Sequence, residues 1–228
     1  MSKIFVTGDI HRNIDISKLN SKNFPEGNCL TKEDYLIICG DVGMTWDRSK
    51  ETKYWQKWLS EKSWTTIWCD GNHENFDELN SYPIEEWNGG KVHKITDSLI
   101  HLMRGEVFTL YSKKFFVMGG AESIDKYGRI EGRSWWPEEM PSFEEYNHAM
   151  DTLEKNNYKV DYIITHSAPS NIMYRLNPYF RHDQFTDFLY DEVYRKVEYD
   201  KWLFGHYHMD KKIGENHICL YQDIIQIM

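Results

Sequence analysis

The chain has 228 residues, and its content of 40% hydrophobic and 28% charged residues is ordinary for a globular protein. Its net charge of −9 disfavours a general nucleic-acid binder, which usually carries basic clusters, but does not exclude a small phosphate substrate. Because no signal peptide, no apolar stretch of membrane-spanning length and no CxxC spacing is visible, we expect a cytoplasmic protein with reduced thiols.

The first part of the chain alternates short apolar runs with polar or helical segments. Between the first two runs, residues 12–34 are polar and irregular. Residues 49–62 predict a helix, because Tyr54, Trp55, Trp58 and Leu59 fall on one face. The predicted strands are 3–6, Tyr35–Cys39 and Thr65–Cys69, and a second short helix is predicted at 75–79.

The pattern changes in the middle of the chain. Apolar runs at 99–103, 107–110 and 115–118 predict three short strands with tight connections, which we interpret as a meander between two parallel halves. Residues 122–140 are rich in Gly, Arg, Trp and Pro and predict a long loop. Long loops are uncommon in compact domains and are often functional.

The last part returns to alternating strands and helices. Ser142 and Glu145 have the spacing of a capping box, which predicts the start of a helix. A further helix is predicted over 185–197, and strands are predicted at 161–165, 202–205 and 219–227. This order predicts an α/β fold in which two sheets pack face to face between flanking helices.

Five segments place metal-type ligands directly after apolar runs. They are Gly8-Asp9-Ile10-His11, Gly40-Asp41, Gly71-Asn72-His73-Glu74, Thr165-His166 and Gly205-His206-Tyr207-His208. Sites of α/β sheets lie at the carboxyl ends of the strands, so these five exit loops could build one site. Because the candidates come from both ends of the chain, we expect residues 1–228 to form one domain.

The spacing and chemistry of these residues suit a metal site. Asp9 and His11 are two residues apart, as are His206 and His208, and in a strand that spacing puts both side chains on one face. Carboxylate, amide and imidazole donors without a thiolate suit manganese, iron or zinc better than calcium or a structural zinc site.

The series D-x-H, G-D, G-N-H-E, H and G-H-x-H, in that order, resembles the calcineurin-like metallophosphoesterases. The resemblance extends from Asp9 to His208 and implies a four-layer α-β-β-α sandwich of two mixed sheets flanked by helices. It also implies two divalent or mixed-valence metal ions, with manganese favoured and iron or zinc as alternatives. Asp9, His11, Asp41 and His208 would hold one ion, and Asp41 would bridge to a second ion held by Asn72, His166 and His206.

The implied activity is hydrolysis of a phosphate mono- or diester. Two ions about 3.5–4 Å apart can clamp a phosphate and provide a bridging hydroxide as the nucleophile. In the family, the histidine at the position of His73 is not a ligand but faces the leaving group. We therefore expect His73 to act as a general acid. Asp41 is the other residue predicted to be catalytic.

The chain departs from the motifs of the family's protein phosphatases. Arg12 stands where the first motif has Gly, and Met44 and Thr45 stand where an orienting Asp and a phosphate-binding Arg would be. Asp47 or Asp70 is a candidate to orient His73, although surface solvation is the favoured role of both. Glu74 is interpreted as a charge in the first turn of a helix.

Positive and polar groups near the phosphate are still expected. The candidates for substrate contacts are Arg12, Asn72, Arg129 and Arg133. The acidic charge favours a small phosphorylated compound or nucleotide over long nucleic acid, and no membrane association is expected. A metal-dependent nuclease or a protein Ser/Thr phosphatase is the alternative function, and a non-catalytic binding module on the same fold is a more remote one.

Overall fold

Thirteen strands form two mixed sheets in the computed structural model, which describes residues 2–228. The first sheet has seven strands in the order β13-β1-β2-β3-β6-β5-β4. Its centre is parallel from β1 to β6, and its two edges are antiparallel. The strands are β1 (Ile4–Thr7), β2 (Tyr35–Cys39), β3 (Thr65–Cys69), β4 (Ile84–Trp87), β5 (Gly90–Thr96), β6 (Leu99–Leu102) and β13 (Ile224–Gln226).

The second sheet has six strands in the order β11-β12-β10-β9-β8-β7. Its four middle strands are parallel, and β11 and β7 pair antiparallel at the edges. The strands are β7 (Glu106–Leu110), β8 (Lys113–Met118), β9 (Tyr162–Thr165), β10 (Lys201–Phe204), β11 (Lys211–Ile213) and β12 (His217–Cys219).

Both faces of each sheet are covered, which explains why the central strands are continuous apolar runs. Alternate residues of one strand enter different layers of the core. Val6 packs between the two sheets, whereas Phe5 packs on the outer side of the first sheet. Likewise Leu203 packs between the sheets, and Trp202 and Phe204 pack on the outer side of the second sheet.

Helices complete the two outer layers. Helix α1 (Lys50–Ser60) and the short α2 (Phe76–Leu79) lie on the first sheet, and α3 (Phe143–Lys155), α4 (Ser170–Leu176) and α5 (Gln184–Phe188) lie on the second. The capping box predicted at the start of α3 forms: Ser142 Oγ accepts the N–H of Glu145, and the Glu145 carboxylate accepts the N–H of Ser142. The predicted four-layer sandwich is confirmed.

Several element predictions were wrong in detail. The middle strands do not form one meander, because the chain crosses from β6 in the first sheet to β7 in the second at Gly105, where φ is +74°. The β4–β5 pairing was missed because β4 is exposed and shows no apolar run. Helix α4 was also missed, and the helix predicted over 185–197 becomes a π-helical turn at Leu189–Tyr194.

The strand predicted at 219–227 divides between the sheets. A turn at 221–223 separates β12 in the second sheet from β13 in the first. The carboxylate of Asp210 accepts the three N–H groups of this turn, those of Tyr221, Gln222 and Asp223. None of the helices in residues 2–228 combines the length and apolarity that a membrane crossing requires. The cytoplasmic location and the single-domain organisation remain predictions.

Candidate metal centre

The predicted ligands converge where the carboxyl ends of the two sheets meet. Asp9, Asp41 and Asn72 follow the neighbouring parallel strands β1, β2 and β3 of the first sheet. His166 and the pair His206 and His208 follow the neighbouring strands β9 and β10 of the second sheet. The site therefore lies between the sheets, at the edge from which parallel strands deliver side chains.

One group of donor atoms surrounds the buried carboxylate of Asp9. Its Oδ2 lies 3.1 Å from His208 Nε2 and 4.0 Å from His11 Nε2. His11 Nε2 in turn lies 3.3 Å from Oδ2 of Asp41. Asp9, His11 and His208 are close enough for their donor atoms to share one cation.

A second group of donor atoms lies on the other side of Asp41. His166 Nε2 is 3.4 Å from Asp41 Oδ1 and 3.2 Å from Asn72 Oδ1. The ring of His206 packs edge-on against that of His166, with 4.9 Å between the centroids. Asp41 therefore directs one carboxylate oxygen toward each group, which is the arrangement of a bridging ligand.

The backbone that carries the ligands is not strand, so the same-face argument from two-residue spacing was wrong. The φ angles are +41° at His11, +49° at Asp41, +68° at His206 and +48° at His208. These residues lie in left-handed turns after the strands, a conformation that is costly for residues other than Gly. Such strain is concentrated at functional sites.

Neighbouring acceptors orient two of the histidine rings. A backbone carbonyl can only accept, so His166 donates its Nδ1–H to the Cys39 carbonyl oxygen at 2.7 Å. His11 donates its Nδ1–H to the Asp15 carboxylate, also at 2.7 Å. In both rings Nε2 is left to face the carboxylates, and metal-binding histidines are oriented in this way.

The charges of the buried carboxylates favour a cation at this site. Burial alone would lower the pKa values of His11 and His166, but the Asp41 carboxylate, with Asp9, raises them to about 9 and about 10. Burial alone would raise the pKa values of Asp9 and Asp41, but His166 and neighbouring hydrogen bonds lower both. The same carboxylate charge that favours protonated imidazoles would attract a metal ion, which competes with protons for these ligands.

Asp9 provides a second indication. Its Oδ2 is buried and has no hydrogen-bond partner among the described residues, although His208 Nε2 lies 3.1 Å away. An unpaired buried carboxylate oxygen is costly unless a ligand satisfies it. The donor set of carboxylate, amide oxygen and imidazole suits a transition-metal ion.

Two of the motif glycines pack directly against the ligands. A Cβ on Gly71 would lie 2.1 Å from Oδ1 of Asp41, and a Cβ on Gly205 would lie 2.2 Å from Oδ1 of Asp9. The same carboxylate oxygens accept the backbone N–H groups of His73 and His206. These glycines are therefore required for close approach of one loop to the next.

His73 lies beside the ligands and contacts a predicted substrate residue. Arg129 Nη1 is 3.1 Å from His73 Nδ1, and Arg129 Nη2 is 3.5 Å from His73 Nε2. Burial lowers the pKa of His73, and the charges of Arg129 and His11 lower it further, against the opposing effect of Asp41. Asp125 holds Arg129 through Nε and Nη2, both at 2.9 Å.

The predicted substrate arginines differ in position. Arg129 lines a cavity of about 160 Å³ with Asp41, Asn72 and His73. Arg12 lines an adjoining cavity of about 150 Å³ with His11 and His73, and Thr52 and Asp47 hold its guanidinium. Arg133 is exposed, and among the described residues it is not part of the lining of either cavity. Its role in substrate binding stays a prediction.

Neither candidate carboxylate orients His73. Asp70 is buried and pairs with Arg104 and His101, so the expectation that it is solvated was wrong. Asp47 is partly exposed and accepts from Thr52 Oγ1 at 2.6 Å. Within residues 2–228, no carboxylate forms a hydrogen bond to the His73 ring.

Glu74 also differs from its predicted role. It precedes α2 rather than entering its first turn, and it is fully buried. Its carboxyl group accepts the N–H groups of Val42 and Gly43, which follow Asp41. Burial, with the charge of Asp41, raises the pKa of Glu74 to about 8. Glu74 therefore fixes the loop that carries Asp41.

Sequence reasoning missed the residues that support the ligands. Ser123 accepts from Asn72 Nδ2 at 3.1 Å and so fixes the direction of the Asn72 amide oxygen. Asp15 supports His11 from four residues further along the chain, a spacing that could have been noticed in the segment interpreted as irregular. Asp125 and Arg129 are also four residues apart, but no local pattern links them with His73, because that contact depends on how the long loop folds.

Comparison with known proteins gives two findings. The family model described as "Calcineurin-like phosphoesterase" matches residues 2–210. Among solved structures, the chain is similar to a provisionally assigned 5′-nucleotidase from Staphylococcus aureus, with 13% identity and a TM-score of 0.48. That match covers 98% of this chain and 50% of the other, so this chain spans half the length of that protein. No curated protein matches the chain.

Proposed function

Because the chain belongs to the calcineurin-like phosphoesterase family and is thus a hydrolase of phosphoester bonds, we propose that it hydrolyses small phosphate esters at a dinuclear metal centre. The observation that carries the proposal is the position of Asp41 between two groups of donor atoms. We assign Asp9, His11, Asp41 and His208 to one ion, and Asp41, Asn72, His166 and His206 to the other. When bound, such ions neutralise phosphate charge and activate water at neutral pH.

The chain's own residues would bind and orient the ester. Arg129 and Arg12 line the two cavities beside His73, and this supports the proposal that both contact phosphate oxygens. Guanidinium groups suit this role because they can donate two parallel hydrogen bonds to a phosphate. In the substrate-free protein Arg129 is paired with Asp125, and we propose that the phosphate competes for this side chain.

His73 is proposed to protonate the leaving oxygen. The low pKa of the substrate-free imidazole follows from burial and the nearby cations. A bound phosphate would bring negative charge to the same place and draw Arg129 away, and both changes favour the protonated form of His73. The general acid is therefore expected to become charged when substrate binds.

Replacement of His73 tests this role. His73→Asn should lower kcat on an alkyl phosphate by about 10²–10⁴-fold, the usual contribution of general acid catalysis. The loss on p-nitrophenyl phosphate should be much smaller, because its leaving group is stable without a proton. Kinetics on both esters would be measured together with metal content. Loss of an ion, or equal losses on both esters, would contradict the assignment.

The space beside the metal centre supports a small substrate. A cavity of about 740 Å³ is lined by His206 and His208 at one end and by Tyr127, Tyr179 and Arg181 among others. Tyr127 and Tyr179 are 93% and 90% exposed, and exposed aromatic side chains of this kind can stack on a flat leaving group. We propose a small phosphorylated compound or nucleotide as the substrate.

A panel of esters would test the substrate class. The purified protein, supplied with Mn²⁺, Fe²⁺ or Zn²⁺, would be assayed on p-nitrophenyl phosphate, its bis ester, nucleoside monophosphates, cyclic nucleotides, a phosphopeptide and single-stranded DNA. We expect metal-dependent cleavage of the small esters. Cleavage of DNA or phosphopeptide alone would favour the nuclease or protein-phosphatase alternative, and cleavage of none would contradict the proposed function.

A further inference from the structure

Tyr221 contacts the support of one proposed ligand and the ring of another, although it lies outside the residues that the family model matches. That match ends at residue 210. The Tyr221 hydroxyl donates to Asp15 Oδ1 at 2.9 Å, and Asp15 Oδ2 accepts the Nδ1–H of His11 at 2.7 Å. The Tyr221 ring also stacks on the ring of His208, with 4.7 Å between centroids and an interplanar angle of 15°.

The two contacts of Tyr221 converge on one ion. His11 and His208 lie with Asp9 in one group of donor atoms, whereas the group formed by Asp9, Asp41 and His166 contains neither of them. His208 is half exposed, and the stacked ring limits its rotation. A single side chain thus restrains the imidazoles on two sides of the same proposed ion.

Lys18 ties the backbone of Tyr221 to the loop that carries Asp9. Its ammonium is buried and donates to the carbonyl oxygens of Gly8 and Asp9, at 3.0 and 2.8 Å, and to that of Tyr221. Three N–H donors meet three carbonyl acceptors, so the buried charge is fully hydrogen-bonded. The carboxylate of Asp210 holds the same turn from the other side.

We infer that Tyr221 is a positioning residue for the ion held by Asp9, His11, Asp41 and His208, acting through Asp15 and by stacking on His208, with Lys18 fixing its place. The inference rests on the proposed metal centre. Its chemistry is that of an outer hydrogen-bonding shell, which orients imidazole ligands and raises their basicity. The other ion lacks this support, so the two sites should respond differently to changes at Tyr221.

Conservative variants separate the two contacts. Tyr221→Phe keeps the stacked ring and removes the hydroxyl, whereas Tyr221→Leu removes both. Binding of Mn²⁺ to the ion-free protein would be measured by calorimetry, with metal content after dialysis as a second readout. We expect Tyr221→Phe to weaken one site by about 10–100-fold and to leave the other unchanged. Tyr221→Leu should weaken the same site further.

The matched control is Tyr199→Phe. The Tyr199 hydroxyl bonds to His217 Nε2 at 2.9 Å, a contact of the same kind outside the metal centre, so this variant should bind both ions as the wild type does. Asp15→Asn should weaken the same site as Tyr221→Phe. The double variant should lose less than the sum of the single losses, because the hydroxyl acts through Asp15.

The outcomes distinguish this inference from the proposed function. A wild-type protein that takes up no ion would contradict the metal centre itself. A wild type that binds two ions, together with a folded Tyr221→Phe variant that binds both equally well, would overturn the role of Tyr221 and leave the proposed function intact. Equal weakening of both sites would also contradict it, because the contacts reach only one group.

Discussion

At the scale of single residues, the site depends on two glycines that let neighbouring loops approach each other, as well as on the predicted ligands. Gly71 and Gly205 lie against Asp41 and Asp9 with no room for a Cβ. The sequence showed both glycines as parts of motifs, but the reason for them is visible only when the loops are packed together. Each glycine is needed because the carboxylate of the neighbouring loop fills the space that a Cβ would occupy.

Gly71→Ala should displace Asp41 and impair metal uptake. We expect lower metal content and a free energy of unfolding reduced by about 1–3 kcal/mol, the usual cost of overpacking. The control is Gly128→Ala, since a Cβ at Gly128 would meet no atom within 4 Å. Metal content and chemical denaturation would be measured for both variants. Full metal content in Gly71→Ala would contradict the packing argument.

The arginines of the long loop make a second residue-scale prediction. Arg129→Ala should raise KM by about 10–100-fold, because a hydrogen bond to a charged group is worth about 1.5–3 kcal/mol. Arg133→Ala serves as the comparison, since its side chain is exposed and outside both cavities. Steady-state kinetics on one small ester would decide. A larger effect at Arg133 than at Arg129 would reverse the assignment.

At the scale of elements, polar side chains join segments that are distant in the chain. On the second sheet, His217 of β12 is buried and bonds to Tyr199 near the start of β10. Burial lowers the pKa of His217 to about 4. The folded protein therefore resists its protonation, whereas the unfolded chain has an ordinary histidine pKa of about 6.5.

Because of this difference in pKa, the free energy of unfolding should decrease as the pH falls. The contribution of neutral His217 is fully present above about pH 6.5 and declines as the pH falls from about 6.5 to about 4, because the unfolded state binds the proton first. At pH 5 the loss is on the order of 2 kcal/mol. Denaturation of wild type and His217→Gln at pH 7 and pH 5, with a chelator present, would measure it. The same pH dependence in both proteins would contradict this prediction.

At the scale of the whole molecule, the proposed ions would join the two sheets. Asp9, Asp41 and Asn72 come from the first sheet, and His166, His206 and His208 come from the second. An ion that binds only the folded state stabilises it by mass action, by about 2.7 kcal/mol when its concentration is 100 times Kd. Metal uptake should therefore stabilise the entire sandwich.

Thermal unfolding with and without Mn²⁺ tests this coupling. We expect saturating Mn²⁺ to raise Tm by about 5–10 °C, since about 1 kcal/mol corresponds to about 2–4 °C at this size. Asp9→Asn removes a ligand charge and should lose most of this increase. An identical Tm in Mn²⁺ and in a chelator would argue against an ion that links the sheets.

The sequence by itself determined the central strands and the four-layer fold, and it indicated which loops carry the predicted ligands. Continuous apolar runs are what doubly covered strands require, and parallel strands deliver their following residues to a common edge. Only the tertiary structure decided that Asp15 and Tyr221 support His11 and His208, that Glu74 is buried and that Arg129 rests on His73. Most of these contacts join residues far apart in the chain, and turns with positive φ direct them, so local periodicity could not reveal them. The exception is the contact of His11 with Asp15, which are four residues apart.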